Sequence, residues 1–176
     1  MPNDAIWVSR AALLGDRNAF SRLVEAYQSP VRRFFFHLTG GDEELSKDLA
    51  QDAFVKAWLS ISSFRAAAKF STWLYRIAYN VFYDHERSKK QSVSLDAVGE
   101  QIPVGSLNSD FSMDFAVALK VLKDDERTAM LLFYMEDLPV DKISKIMNCP
   151  AGTVKSHLFR GKEKLSVYFK NSGYDK

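Results

Sequence analysis

Cysteine is almost missing from this chain of 176 residues, where Cys149 stands alone. A single thiol excludes an intramolecular disulfide and fits a reducing compartment best. The three histidines, His37, His85 and His157, lie far apart, and none has a cysteine or a second histidine at ligand spacing. Long apolar runs are missing as well. The longest, Ala129–Met135, has seven residues, far short of the ~20 that span a bilayer. The N-terminus lacks a basic segment followed by an apolar core, so neither membrane insertion nor a secretory signal is expected, and a cytoplasmic protein is. Gly40-Gly41 has neither the lysine nor the strand context of a phosphate loop. Asp48 and Asp52, four apart on one helical face, read as a solvated acidic surface rather than a metal or acid–base pair. No cofactor is expected, and no catalysis by this chain alone.

A strong net charge is also absent: 24 Lys and Arg face 22 Asp and Glu, leaving +2. The near-neutral total hides an uneven distribution. Lys142, Lys145, Lys155, Arg160, Lys162, Lys164 and Lys170 crowd the C-terminal end against Glu163 alone, whereas residues 92–112 hold three acids and no base. A basic end beside an acidic middle points to a polyanionic partner for the former.

What is present is helical periodicity, with no persistent strand alternation. Asp4–Leu14 and Asp16–Tyr27 read as helices separated by Gly15, with Asp16 as N-cap. Pro30 reads as the start of a third, Val31–Leu38. Asp42 caps the next, which places Glu43 and Glu44 in its first turn and runs to about Ile61. A further long helix begins near Ser71 or Thr72 and ends near Lys90. Residues 92–112, SVSLDAVGEQIPVGSLNSDFS, lose all periodicity and read as a linker. Helix returns over Asp114–Leu122 and Asp124–Met135. The expected fold is therefore all-α, with two helical domains, 1–91 and 113–176, on either side of a flexible linker at 92–112.

Leu138–Leu165 carries the clearest functional pattern. Ile143, Ile146 and Met147 form an apolar stripe, Asn148 tolerates the left-handed conformation of a helix C-cap, and Pro150 prevents continuation. A second helix turns Val154, Leu158 and Leu165 inward and leaves Thr153, Lys155, Ser156, His157, Arg160, Lys162 and Lys164 outside. A short turn between two helices, the second rich in donors, is the arrangement that enters a DNA major groove. In Phe70–Lys90, Tyr75, Tyr79 and Tyr83 recur every four residues beside Trp73, Arg76, Asn80 and Arg87. Such a stripe either packs in a core or stacks unpaired bases. In Asp48–Trp58, Asp48, Gln51, Asp52 and Lys56 share a polar face, opposite Phe54, Ala57 and Trp58.

Taken together, these stretches resemble the extracytoplasmic-function group of bacterial RNA polymerase sigma factors, over nearly the whole chain. DLAQDAFVKAW is similar to the Asp-x-x-Gln-Asp-x-Phe-x-Lys-Ala-Trp helix of sigma region 2. FSTWLYRIAYN is similar to its Phe-x-x-Trp-Leu-x-x-Ile-Ala-x-Asn segment, and DERTAMLLFYMEDLPVDKISKIMNCPAGTVKSHLFRGKEKL to region 4. The resemblance implies a promoter-recognition subunit. Asp48, Gln51, Asp52 and Lys56 would dock on core RNA polymerase. Trp73, Tyr75, Arg76, Tyr79, Asn80 and Arg87, with the loop at Ser62–Lys69, would engage the melting minus-10 element. Thr153, Lys155, Ser156, His157, Arg160, Lys162 and Lys164 would meet the minus-35 element. An anti-sigma factor is the further partner implied. His157 stands where the family usually has Arg, and Gly161 where it has Ala, an exchange that costs a helix ~1 kcal/mol. Ser144 and Asn148 replace the Ala and Gly of many such turns. A stand-alone DNA-binding regulator and a helical adaptor for an acidic protein are the competing readings; neither needs a base-binding surface in the first domain.

Overall fold

The computed structural model describes residues 4–65, 69–93 and 111–172. Among them there is no strand, and no helix is long and apolar enough to cross a membrane. The elements are α1 (Asp4–Leu14), α2 (Arg17–Leu38), α3 (Glu43–Ser60), α4 (Phe70–Val93), α5 (Phe111–Ala118), α6 (Asp124–Tyr134), α7 (Val140–Met147) and α8 (Ala151–Asn171). Short 3-10 turns follow α3 and α5. The linker expected at 92–112 falls mostly on residues 94–110, outside the described residues; Val93 closes α4 and Phe111 opens α5.

The helix starts follow local rules. Gly15 takes φ +61°, and the Asp16 carboxylate accepts from the Asn18 and Ala19 amides at 3.0 and 3.1 Å, capping α2. Asp42 accepts from the Leu45 amide at 3.0 Å at the head of α3.

One expectation fails. Val31–Leu38 is not a separate helix, because α2 runs unbroken through Pro30. A proline inside a helix removes one backbone hydrogen bond and costs about 3 kcal/mol. Here Phe20, Leu23, Tyr27, Val31, Phe34, Phe35 and Leu38 keep one apolar face in phase across the proline, and all are buried. Full burial of such a side chain is worth about 1.5–3 kcal/mol, so the stripe outweighs the missing bond.

α1 to α4 form a first bundle, whose core joins that stripe to Leu49, Ala53 and Ala57 of α3, to Ile61 of the 3-10 turn after it, and to Leu74, Ala78, Val81 and Phe82 of α4. α6, α7 and α8 enclose a second core around Leu131, Leu132, Ile143, Ile146 and Val154. The two bundles touch. α7 packs along α4, and α2 meets α5 and α6. His37 of α2 is buried edge-on between Phe36 and Phe115 of α5, at ring-centroid separations of 5.4 and 5.5 Å. Burial, and then the nearby Arg33 charge, lower its pKa and keep the ring neutral.

Candidate nucleic-acid interface

The turn between α7 and α8 is built as its residue types require. Asn148 adopts φ 52° and ψ 46°, and its amide donates to the Ser144 carbonyl. Ser144 contributes more than small size: its hydroxyl donates to the Cys149 carbonyl at 2.6 Å and ties the corner shut. Burial, and then the Asp125 charge, raise the pKa of the half-buried Cys149 thiol, which disfavours the reactive thiolate.

A branched residue in the left-handed region costs about 1–2 kcal/mol, so Asn148→Val should destabilise the second bundle by that amount while Asn148→Gly holds or improves it. Amide hydrogen exchange within α7 measures this directly. Equal protection in the Val and Gly variants would show that the cap contributes nothing.

Pro150 caps the start of α8, and its carbonyl accepts from the Thr153 and Val154 amides at 2.9 and 3.2 Å. Val154 is fully buried, and Leu165 nearly so. Lys155, Ser156, Arg160 and Lys162 are exposed, whereas Thr153 and His157 are half-buried. The Arg160 guanidinium folds back toward the Ser156 carbonyl, 3.3 Å from Nε, so it lies along its own helix. His157 Nδ1 has no hydrogen-bond partner among the described residues. Lys164 differs from its neighbours, because its ammonium is held by the buried Glu126 carboxylate at 2.6 Å. Sequence reasoning passed over Phe159, which stands 64% exposed on this basic helix. It follows Lys155 by four residues and Ser156 by three, so it joins their face, but helical spacing alone does not tell an exposed ring there from a packed one. Gly161 has a packing role: a Cβ there would meet Met130 Cγ at 2.9 Å, so the glycine lets α8 lie close to α6.

On α4 the six singled-out residues divide. Arg76, Asn80 and Arg87 are exposed along one side. Trp73 is half-buried against Phe64 and Phe70, with ring centroids 5.4 and 5.6 Å away. Tyr75 is buried, edge-on to Phe34 at 5.2 Å, and its hydroxyl donates to the Glu136 carboxylate. The Tyr79 and Tyr83 rings touch with centroids 4.3 Å apart, tilted by 38°, and Tyr83 donates to Asp125 at 2.5 Å. Burial, together with the facing carboxylates, pushes the Tyr75, Tyr79 and Tyr83 hydroxyls above the usual tyrosine range. The tyrosines thus face the second bundle, while the amide and guanidinium groups face outward.

On α3, Asp48, Gln51, Asp52 and Lys56 are all exposed, and Lys56 reaches Asp84 of α4 at 3.3 Å. Among the described residues no cluster of carboxylates, histidines or cysteine could hold a metal. Next to this polar face runs an open apolar groove of about 530 Å³. Phe20, Val24, Phe54 and Trp58 line its floor, and Val55 and Leu59 stand 50% and 74% exposed at its edge. The sequence reading turned Phe54 and Trp58 inward; they are half-buried instead.

Known proteins resemble this arrangement along both bundles. The family model described as Sigma-70 region 2 matches residues 23–92, and that described as Sigma-70, region 4 matches residues 112–165. The ECF RNA polymerase sigma factor SigW of Bacillus subtilis is 35% identical, with 86% of this chain and 89% of that protein covered. The ECF RNA polymerase sigma-E factor of Escherichia coli is 32% identical, with 86% of each covered. Among solved structures, the sigma factor RpoE from Bartonella quintana, in complex with the anti-sigma factor NepR, superposes with a TM-score of 0.75 at 26% identity. That match covers 86% of this chain and 96% of the other.

Proposed function

The chain belongs to the extracytoplasmic-function group of RNA polymerase sigma factors, and on that premise we propose how its surfaces divide the work. As a sigma factor it binds core RNA polymerase and directs promoter recognition, minus-10 melting and the start of transcription. It is an initiation factor, and on our reading all bond-making belongs to the polymerase. Residues 1–91 act as the core-binding and minus-10 domain, and 113–176 as the minus-35 domain.

The exposed face of α3, Asp48, Gln51, Asp52 and Lys56, meets core polymerase, with the groove beside Trp58 adding apolar contact area. The outward side of α4 reads the minus-10 strand. Asn80 suits a bidentate hydrogen bond to a base edge, while Arg76 and Arg87 suit phosphates. Trp73 and Tyr79 offer rings for bases that leave the stack. On α8, Thr153, Ser156, His157 and Arg160 address base edges, and Lys155 and Lys162 the phosphates. Lys164 lies at the edge of this set, since Glu126 already engages it. The observation that carries the reading is the α7–α8 pair itself, which leaves Lys155, Ser156 and Arg160 exposed beyond a closed, left-handed turn. Work in the cytoplasm and control by an anti-sigma factor complete the proposal; the Bartonella quintana relative, solved with such a partner, supports the latter.

The test is transcription by purified chain and core polymerase from a two-element promoter. Lys155→Ala and Arg160→Ala should each weaken minus-35 use by about 1–3 kcal/mol, about five- to 150-fold, and leave core binding intact. Asn80→Ala should relax choice at one minus-10 position. Failure to bind core, or lost core binding in the α8 variants, would overturn the division of labour.

A further inference from the structure

We propose that Lys56 is also a positioning residue for minus-10 binding: its ammonium cancels the charge of Asp84, an acid standing inside the line of groups that α4 turns toward the separated strand. This rests on the assignment of α4 to minus-10 DNA. Arg76, Asn80 and Asp84 recur every four residues, Arg87 follows three further on, and all four are exposed. Residues three and four apart are neighbours on a helix surface. A carboxylate therefore sits between the Asn80 amide and the Arg87 guanidinium, on the side that a polyanion approaches. Left alone it opposes binding in two ways. It repels the phosphates, and it draws Arg87 toward an i,i+3 pair that competes with them.

The neighbouring helix supplies the counter-charge. α3 packs along α4, and the Lys56 ammonium donates to the Asp84 carboxylate at 3.3 Å. The two side chains are 51% and 58% exposed, so the pair adds little to stability. Its effect falls on the ligand instead. A phosphate bound at Arg87, one turn from Asp84, lies within roughly one Debye length of about 8 Å at physiological salt, and meets a neutral pair in place of a bare acid. Lys56 thereby serves two surfaces of the first bundle, the polar face of α3 and the outward side of α4.

The experiment uses holoenzymes assembled with core polymerase in excess, so that a lost core contact does not enter the readout. The probe is a fluorescein-labelled single strand of about 12 nucleotides, taken from the non-template strand of a promoter that the parent holoenzyme transcribes. Lys56→Gln should weaken strand binding by roughly five- to tenfold. Asp84→Asn should change it by less than about twofold, and the double variant should return to within about twofold of the parent, a non-additivity that marks a working pair. The deficit of Lys56→Gln should also close as salt rises from about 50 to about 300 mM, which a merely structural loss does not do. Equal gains from Asp84→Asn with and without Lys56 would overturn the pairing, as would unchanged strand binding in Lys56→Gln. A parent holoenzyme that ignores the strand would instead remove the minus-10 assignment itself, and the inference with it.

Discussion

Arg127→Ala should cost about 3–5 kcal/mol, the largest effect of any single substitution in the second bundle. Arg127 is only 9% exposed, and its guanidinium donates to three backbone carbonyls, Leu119 at 3.0 Å, Leu122 at 3.0 Å and Leu38 at 2.5 Å. Leu119 and Leu122 lie in the turn between α5 and α6, where the chain has left regular helix and its carbonyls have few amides to meet. Leu38 is the last residue of α2, whose final carbonyls have no intrahelical partner and carry the negative end of the helix dipole. A single planar fork meets all three needs. Lysine cannot replace it, because one ammonium on a flexible stem cannot span three separated acceptors, so Arg127→Lys should recover less than half of the loss. Trp7, Trp58 and Trp73 all lie in the first bundle, so tryptophan fluorescence follows that half, and amide exchange in α6 to α8 follows the other. Exchange protection in α6 to α8 that falls by under 1 kcal/mol in the alanine variant would show the three bonds to be dispensable.

The second large effect is an asymmetry across one ion pair. Glu126 is 2% exposed, and its carboxylate accepts from Lys164 at 2.6 Å and from the Lys123 amide at 3.1 Å. Burial alone would raise its pKa, but the lysine and the amide more than offset that, and the pKa falls below the usual glutamate value. The Lys164 side chain is 37% exposed. Lys164→Ala therefore strands a buried charge and should cost about 3 kcal/mol at neutral pH, whereas Glu126→Gln frees an ammonium that reaches water and should cost about 1 kcal/mol.

The pH dependence separates the two. In the parent the carboxylate is stabilised when folded, so its contribution is complete above the unfolded pKa and is lost as pH falls through the lowered folded value. In Lys164→Ala the folded carboxyl loses its cation, and burial raises its pKa instead. The folded state then binds the proton first, and the deficit against the parent shrinks on acidification. Urea titration of α8 exchange at pH 7 and pH 4.5 reads both signs. Equal losses in the two variants, or a deficit that grows in acid, would sink the account. The same result explains lost promoter use in Lys164→Ala as lost folding.

Much of this was legible locally. Gly15-Asp16, Asp42 and Asn148-Cys149-Pro150 place helix ends because caps and left-handed turns act over three or four residues. The helix-turn-helix followed from the stripe at Ile143, Ile146 and Met147, all buried as expected. Pro30 misled because its local effect is real but smaller than the burial of the seven-residue stripe on either side. Phe159 was missed because an aromatic on an amphipathic helix usually packs, and only its surroundings leave it in the open.

By itself, then, the sequence determined the all-helical class, the helix-turn-helix and the sigma-factor motifs, since each rests on periodicity, caps or contiguous residue types. Tertiary structure alone decided which side of α4 the second bundle covers, that Lys164 serves Glu126, and that Arg127 closes α2. Those partners lie 38 and 89 residues apart for Lys164–Glu126 and Arg127–Leu38. At such separations no local pattern links donor to acceptor: the packing of α8 on α6 brings Lys164 to Glu126, and the packing of one bundle on the other brings Arg127 to Leu38.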